Sequence, residues 1–136
     1  MSGLINQVGA RSGIVGSTTD GTQLDYEEGT WTPTNSSYAP SSSLGRYVRI
    51  GSIVHVWGSF TSNASNTSST SWGGLPFPLS NNVPVRAIGH TRYSTAVYGM
   101  VGDANASTFA FYSGSSEVAV TVGVALKFNG TYTTDQ

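Results

Sequence analysis

The chain has no cysteine, and only 10% of its 136 residues are charged. The missing thiols exclude disulfides, cysteine nucleophiles and cysteine-type zinc sites together. Six Lys or Arg stand against seven Asp or Glu, a net charge of −1. No basic stripe can neutralise a phosphate backbone, so nucleic acid is not an expected partner. Nor does the chain belong with disordered proteins, which are highly charged and poor in aromatics. No apolar run approaches the length of a membrane-spanning helix. The opening "MSGLINQVGARSG" lacks the basic start and apolar middle of a signal peptide. A convincing helical period is also missing, as is any repeat of fixed length.

What fills the space is Gly, Ser, Thr and Asn, with aromatics at 11%, among them Trp31, Trp57 and Trp72. This composition suits many short strands joined by turns. The length fits a single domain. A surface so thin in charge favours life inside an assembly.

Two parts are expected. Residues 1–24 form an extended N-terminal arm with apolar anchors at Leu4, Ile5, Val8, Ile14 and Val15, and with Arg11 beside them. Extended, such an arm reaches up to about 80 Å. It can fold back on its own domain or dock on a partner. Residues 25–136 form a single antiparallel β-sandwich, jelly-roll-like by its count of short strands.

The clearest strand signal is "RYVRIGSIVHVWGSF", residues 46–60, two β-rich runs around the Gly51-Ser52 hairpin connection. Alternation places Val54, Val56 and Phe60 on one face and Ile53, His55 and Trp57 on the other. "SNASNTSSTSWGG" (62–74) reads as a polar loop. "LPFPLSNNVP" is too rich in proline for a central strand. Further strands are expected near 85–90, 94–101 and 107–112. "EVAVTVGVALKF" (117–128) reads as one long strand, apolar at Val118, Val120, Val122, Val124, Leu126 and Phe128.

Few residues suit catalysis. His55 sits between valines, where a hydrogen-bonded strand histidine is the ordinary occurrence and a general base the rare one. "GARSGIVGS" (9–17) resembles a phosphate loop only in its glycines, with no Lys before the Ser. Asp20, Asp25, Glu27 and Glu28 are the one acidic cluster, and their spacing is not that of a calcium loop. A glycosidase pair such as Glu27 with Asp103 or Glu117 would have to face across a cleft, and nothing in the spacing brings them together. No catalytic residue, metal or cofactor is expected. Five Asn-X-Ser/Thr triplets accompany no signal peptide and are discounted as glycan acceptors. Exposed aromatics could stack sugars, with Tyr38 and Trp72 the candidates. Against this stands the ordinary reading of tryptophans as core and loop caps.

Three segments carry a resemblance: "LDYEEGTWTP" (24–33), "GRYVRIGSIVHVWG" (45–58) and "GLPF" (74–77). In that order they resemble a module of virion proteins of tailed phages from marine and aquatic bacteria. There an acidic-aromatic "YEEGTWTP" entry precedes a "GxYxxIGxxVxxxG" hairpin and a "GLPF" turn. The resemblance covers residues 24–79. It implies a structural, non-enzymatic β domain on a phage particle, made in the host cytoplasm. In that family the module often ends a long fibre. With Met1 only 24 residues before the motif, a capsid decoration or cement protein is expected, homotrimeric and anchored by its arm. The partners implied are the chain itself and the major capsid protein or another virion protein, with no membrane. The alternative is a tail-fibre or receptor-binding tip recognising host surface glycans.

Within this frame the opening segment is a clasp. Glu27-Glu28-Gly29 is expected to turn the chain into its first strand, with Tyr26 and Trp31 as buried anchors and Pro33 ending the pairing. Its carboxylates would meet Arg46 or Arg49. Alternation sends these two to opposite faces, so one intra-domain partner is expected and the other arginine is left for a neighbouring subunit.

Overall fold

The computed structural model describes residues 25–35, 39–63, 71–82, 87–93 and 95–135. The arm of residues 1–24, and Tyr38, lie outside them. The described residues form eight strands and no helix: β1 (Tyr26–Trp31), β2 (Pro40–Ile50), β3 (Ile53–Ser62), β4 (Ala87–Tyr93), β5 (Ala96–Gly102), β6 (Phe109–Ser113), β7 (Ser116–Glu117) and β8 (Ala125–Thr133). All lie in one antiparallel sheet, ordered β1-β2-β3-β8-β4-β5-β6-β7. The all-β antiparallel expectation holds. The jelly-roll pairing does not appear, because a jelly roll divides its strands between two sheets, whereas here β8 enters a meander between β3 and β4.

The sheet is rolled. Neighbouring strands lie about 4.8 Å apart, so Phe60 of β3 and Phe111 of β6, four strands on, would stand about 19 Å apart on a flat sheet. Their ring centroids are 6.2 Å apart. Trp31 of β1 and Phe109 of β6 are further apart in strand order, yet their rings meet edge-on at 6.1 Å. The two halves therefore face each other, sandwich-like, across a shared core. Trp31, Phe60, Trp72, Phe109, Phe111 and Phe128 supply its aromatic centre.

One two-residue segment joins the edges of the roll. Gly73 exchanges both backbone hydrogen bonds with Thr34, just after β1, at 2.7 and 3.0 Å. Trp72 does the same with Phe109 of β6, at 2.7 and 2.8 Å. Gly74 leaves this staple at φ +91°, where a Cβ would meet the Thr32 carbonyl oxygen at 2.2 Å. Only glycine tolerates both constraints.

Two sequence expectations fail locally. The long strand over 117–128 is broken. β7 pairs with β6, while β8 pairs with β3 and β4 elsewhere on the roll, so the chain must cross between them. Gly123, at φ +78°, turns it, and its N–H donates to the Ser62 carbonyl at 2.9 Å. Val120 stays buried, but Val122, which strict alternation would bury, is 48% exposed. The strand instead starts at Ala125 and runs on to Thr133, burying Leu126, Phe128, Gly130 and Tyr132 on alternate positions. The second failure is Glu27-Glu28-Gly29, which forms no turn. These residues sit mid-strand in β1, opposite Arg49, Val48 and Tyr47 of β2.

Candidate functional site

The three segments that carry the resemblance form one packed unit. Cross-strand partners in an antiparallel sheet share a face, and on the inner face here large side chains stand opposite glycines. Trp31 pairs with Gly45, Gly45 with Gly58, and Gly58 with Phe128. The indole and the phenyl ring meet over this glycine floor at 5.4 Å. A Cβ on Gly45 would stand 2.7 Å from Trp31 Nε1, and one on Gly58 would stand 2.0 Å from the Leu44 carbonyl oxygen. Trp31 also donates from Nε1 to the Arg46 carbonyl at 3.2 Å.

One row nearer the hairpin, Tyr47 lies where a side chain on Gly29 would be, 2.8 Å from such a Cβ. The Tyr47 ring packs edge-on against Phe77 at 5.5 Å. Phe77 is held by Tyr132, whose hydroxyl donates to the Phe77 carbonyl at 3.1 Å and accepts from the Phe77 N–H at 3.3 Å. Burial pushes the Tyr132 phenol well above its ordinary range.

At the mouth of the roll the acidic residues find their partners. Arg49 reaches Asp25 at 2.9 Å and Glu27 at 3.8 Å. It also donates from Nε to the Gly51 carbonyl at 2.8 Å and lies 5.0 Å above the Phe77 ring, within cation–π range. Tyr47 donates to Glu27 Oε1 at 2.6 Å, and this hydrogen bond raises the phenol's pKa. Tyr26 donates to Glu28 Oε2 at 2.7 Å, again raising the phenol's pKa. The hairpin closes with Gly51 at φ +58°, its N–H donating to the Asp25 carbonyl at 2.7 Å.

Among the described residues, one of the two arginines meets the carboxylates. Arg46 and Arg49 do take opposite faces. Arg49 points inward and meets both Asp25 and Glu27. Arg46 points outward and has no ion pair among the described residues. Trp31 is the buried anchor foreseen, at 7% exposure, but Tyr26 is 41% exposed, because its position pairs with the outward-facing Ile50. Pro33 is buried beyond the end of β1. Trp72 is not ligand-facing, since at 0% exposure it fills the core against Phe60, ring centroids 4.3 Å apart. The arm residues Leu4, Ile5, Val8, Arg11, Ile14 and Val15, and Tyr38, lie outside the described residues. Among those described, no three His, Asp or Glu side chains converge to hold a metal.

Sequence reasoning named neither Asp25 nor Tyr47 nor Phe77 for the clasp. The register Glu27–Arg49 and Gly29–Tyr47 would have found the first two. Phe77 reaches the cluster only through tertiary packing. The exposed tryptophan is Trp57, beside His55 with ring centroids 5.4 Å apart and planes 30° from parallel. His55 Nδ1 lies 2.9 Å from Thr131 Oγ1. The alternation of β3 already placed both on the face opposite the core. In comparison with known proteins, the chain matches no protein-family model and no curated protein.

Proposed function

We propose that this chain is a structural protein of a phage virion, a decoration or cement protein acting as a homotrimer and anchored by residues 1–24. The observation that carries the reading is the convergence of the three resembling segments. Five residues of these segments, Trp31, Gly45, Tyr47, Gly58 and Phe77, fall inside one packed unit, where the rings occupy space that the glycines leave open. A motif spent on internal fit is the signature of a scaffold. The chemistry left outside is then free to serve assembly. Exposed Ile50, Ile53 and Leu44 supply apolar surface of the kind that subunit contacts cover.

The test is co-sedimentation of the full chain with undecorated capsids, alongside its mass in solution. Saturable binding at three copies per site, lost on removing residues 1–20, is the expected result. A truncated chain that binds as tightly as the full one would overturn the arm's role. Binding to host cells but not to shells would overturn decoration in favour of a tail location. That second reading has its own support in the solvent-facing Trp57–His55 pair.

A further inference from the structure

The outward side of β2, β3, β8 and β4 concentrates groups that the clasp does not use. Reading the register across one row gives Thr30, Arg46, Trp57, Asn129 and His90 as successive neighbours on β1, β2, β3, β8 and β4. In the row towards the hairpin stand Glu28, Val48, His55 and Thr131. In the row on the other side, Lys127 pairs with Arg92. All of these except the half-buried Val48 are exposed.

Both histidines of the chain are on this face, as are Arg46, Arg92 and Lys127. None of these three cations forms an ion pair among the described residues. Among the described residues, the acidic side chains lie elsewhere or at the margins. Asp25 and Glu27 are drawn to Arg49, and Glu28 accepts from Tyr26 at one edge. Glu117 is at the opposite edge of the sheet, on β7. An open hollow of about 250 Å³ beside Trp57 is lined by Glu28, Thr30 and Arg46 among others.

We infer that this face is a binding shelf for an anionic saccharide, a short glycan bearing carboxylate or phosphate groups. The indole of Trp57, extended sideways by His55, offers a flat apolar platform with a polar edge, suited to the C–H face of a pyranose. Asn129, Thr131 and Thr30 present amide and hydroxyl groups for sugar hydroxyls. Arg46 on one side and the Arg92–Lys127 pair on the other supply charge-assisted donors for acidic substituents. From Arg46 to His90 the shelf crosses three inter-strand steps, about 15 Å, the scale of a short oligosaccharide. Three cations on a chain of net charge −1 are too few to track a nucleic-acid backbone. Ile50 and Ile53 lie one row beyond the shelf, and Leu44 and Val97 flank the two ends of its Lys127–Arg92 row, so its central row is too polar for the core of a protein interface.

Trp57 is also the reporter. Trp31 and Trp72 are buried at 7% and 0% exposure, so quenching by acrylamide reads Trp57. The full-length protein would be titrated with trigalacturonate, with a phosphorylated maltotriose and with neutral maltotriose. Saturable shielding of Trp57 by at least one anionic sugar is expected, with the neutral sugar about tenfold weaker or more. The double variant Arg92→Ala/Lys127→Ala should weaken the anionic sugar by about tenfold. Trp57→Ala, followed by calorimetry, should abolish the binding while the melting curve stays in place. A response confined to trigalacturonate assigns a carboxylated glycan, and one confined to the phosphorylated sugar a phosphorylated glycan. Shielding by neither anionic sugar, equal binding of the neutral one, or an unchanged affinity in the double variant would overturn the shelf. The experiment uses no particles, so its failure leaves the virion reading standing, and a failure of capsid binding leaves the shelf standing.

Discussion

The inner and outer sides of β2 and β3 are built from alternate residues of one hairpin, and they follow opposite rules. Inward go Gly45, Tyr47, Arg49, Val54, Val56 and Gly58, each matched to a neighbour, glycine under indole or phenyl ring, Arg49 among two carboxylates and a carbonyl. Outward go Arg46, Val48, His55 and Trp57, where no tight fit is demanded. In the pattern GxYxxIGxxVxxxG the fixed inward letters are Gly45, Tyr47, Val54 and Gly58, while Ile50 is the one fixed letter that faces outward in a strand and Arg46, Val48, His55 and Trp57 each fall on an x. A resemblance carried by such a pattern reports the packing of a scaffold. It says little about what the scaffold binds, because binding chemistry sits on the positions the pattern leaves open.

The sharpest way to break this contrast is to make one substitution on both sides. Trp72→Ala empties a core site and should cost about 3–5 kcal/mol, whereas Trp57→Ala on the exposed face should change stability by about 0.5 kcal/mol or less. Urea unfolding of both variants decides the matter, and equal losses would mean that the outer face is buried in the folded state. Glycines give the next largest effect. Gly58→Ala drives a Cβ into the Leu44 carbonyl and should cost about 3 kcal/mol, the upper end of overpacking. Gly99→Ala, on the outer side of β5 with its nearest atom at 3.8 Å, should be neutral to within about 0.5 kcal/mol.

The arginines sharpen the same comparison at smaller scale. Arg49→Met should cost about 1–2 kcal/mol, since its hydrogen bond to Gly51 is lost while its ion pairs with exposed Asp25 and Glu27 are weakened by solvent. Arg46→Met should fall within about 0.5 kcal/mol of the parent. Chemical denaturation at low and high salt checks both, with salt sensitivity expected only for Arg49.

The smallest effects are those of pH. Ser80 Oγ and the Asn81 N–H both donate to Asp135, and these bonds hold its carboxyl below the ordinary 3.8. A depressed pKa stabilises the fold above that value, and the contribution disappears as pH falls through the lowered one. Asp135→Asn should flatten the acid limb of a melting-temperature profile below pH 3.8. Tyr132 has the opposite sign. Burial raises it above 10.0, so its contribution is complete below pH 10.0 and declines as pH rises further. Tyr132→Phe should remove that alkaline decline, and a limb unchanged in either variant would assign it to other groups.

Much of the fold was legible in alternation and turn chemistry. Gly51-Ser52 marks the hairpin because a two-residue connection wants a positive φ at its first position. Val54, Val56 and Phe60 declare the buried face by their spacing alone. The opening segment misleads because Glu-Glu-Gly has the letters of a turn. Their strand conformation depends on pairing with β2, a long-range contact that no local propensity encodes. The run of valines from Val118 onward misleads for a related reason. Its period of two is real, but β6 and β8 lie in different parts of the roll, and Gly123 supplies the bend between them.

By itself, then, the sequence determined the class of structure. Absent cysteine, sparse charge, no helical period and recurrent alternation leave an antiparallel β domain, and local spacing decides which side of each strand is apolar. The tertiary structure alone decided what those sides meet. Rolling the sheet carried Phe111 to Phe60 and Phe109 to Trp31, turned Trp72 from a loop residue into core, and brought Phe77 onto Tyr47 and Arg49. It also left Trp57, both histidines and three cations with no ion pair among the described residues on one outward face. The physical reason is range: alternation is fixed by each residue's own backbone geometry, whereas the curvature of a sheet depends on side chains fitting across strands far apart in the chain.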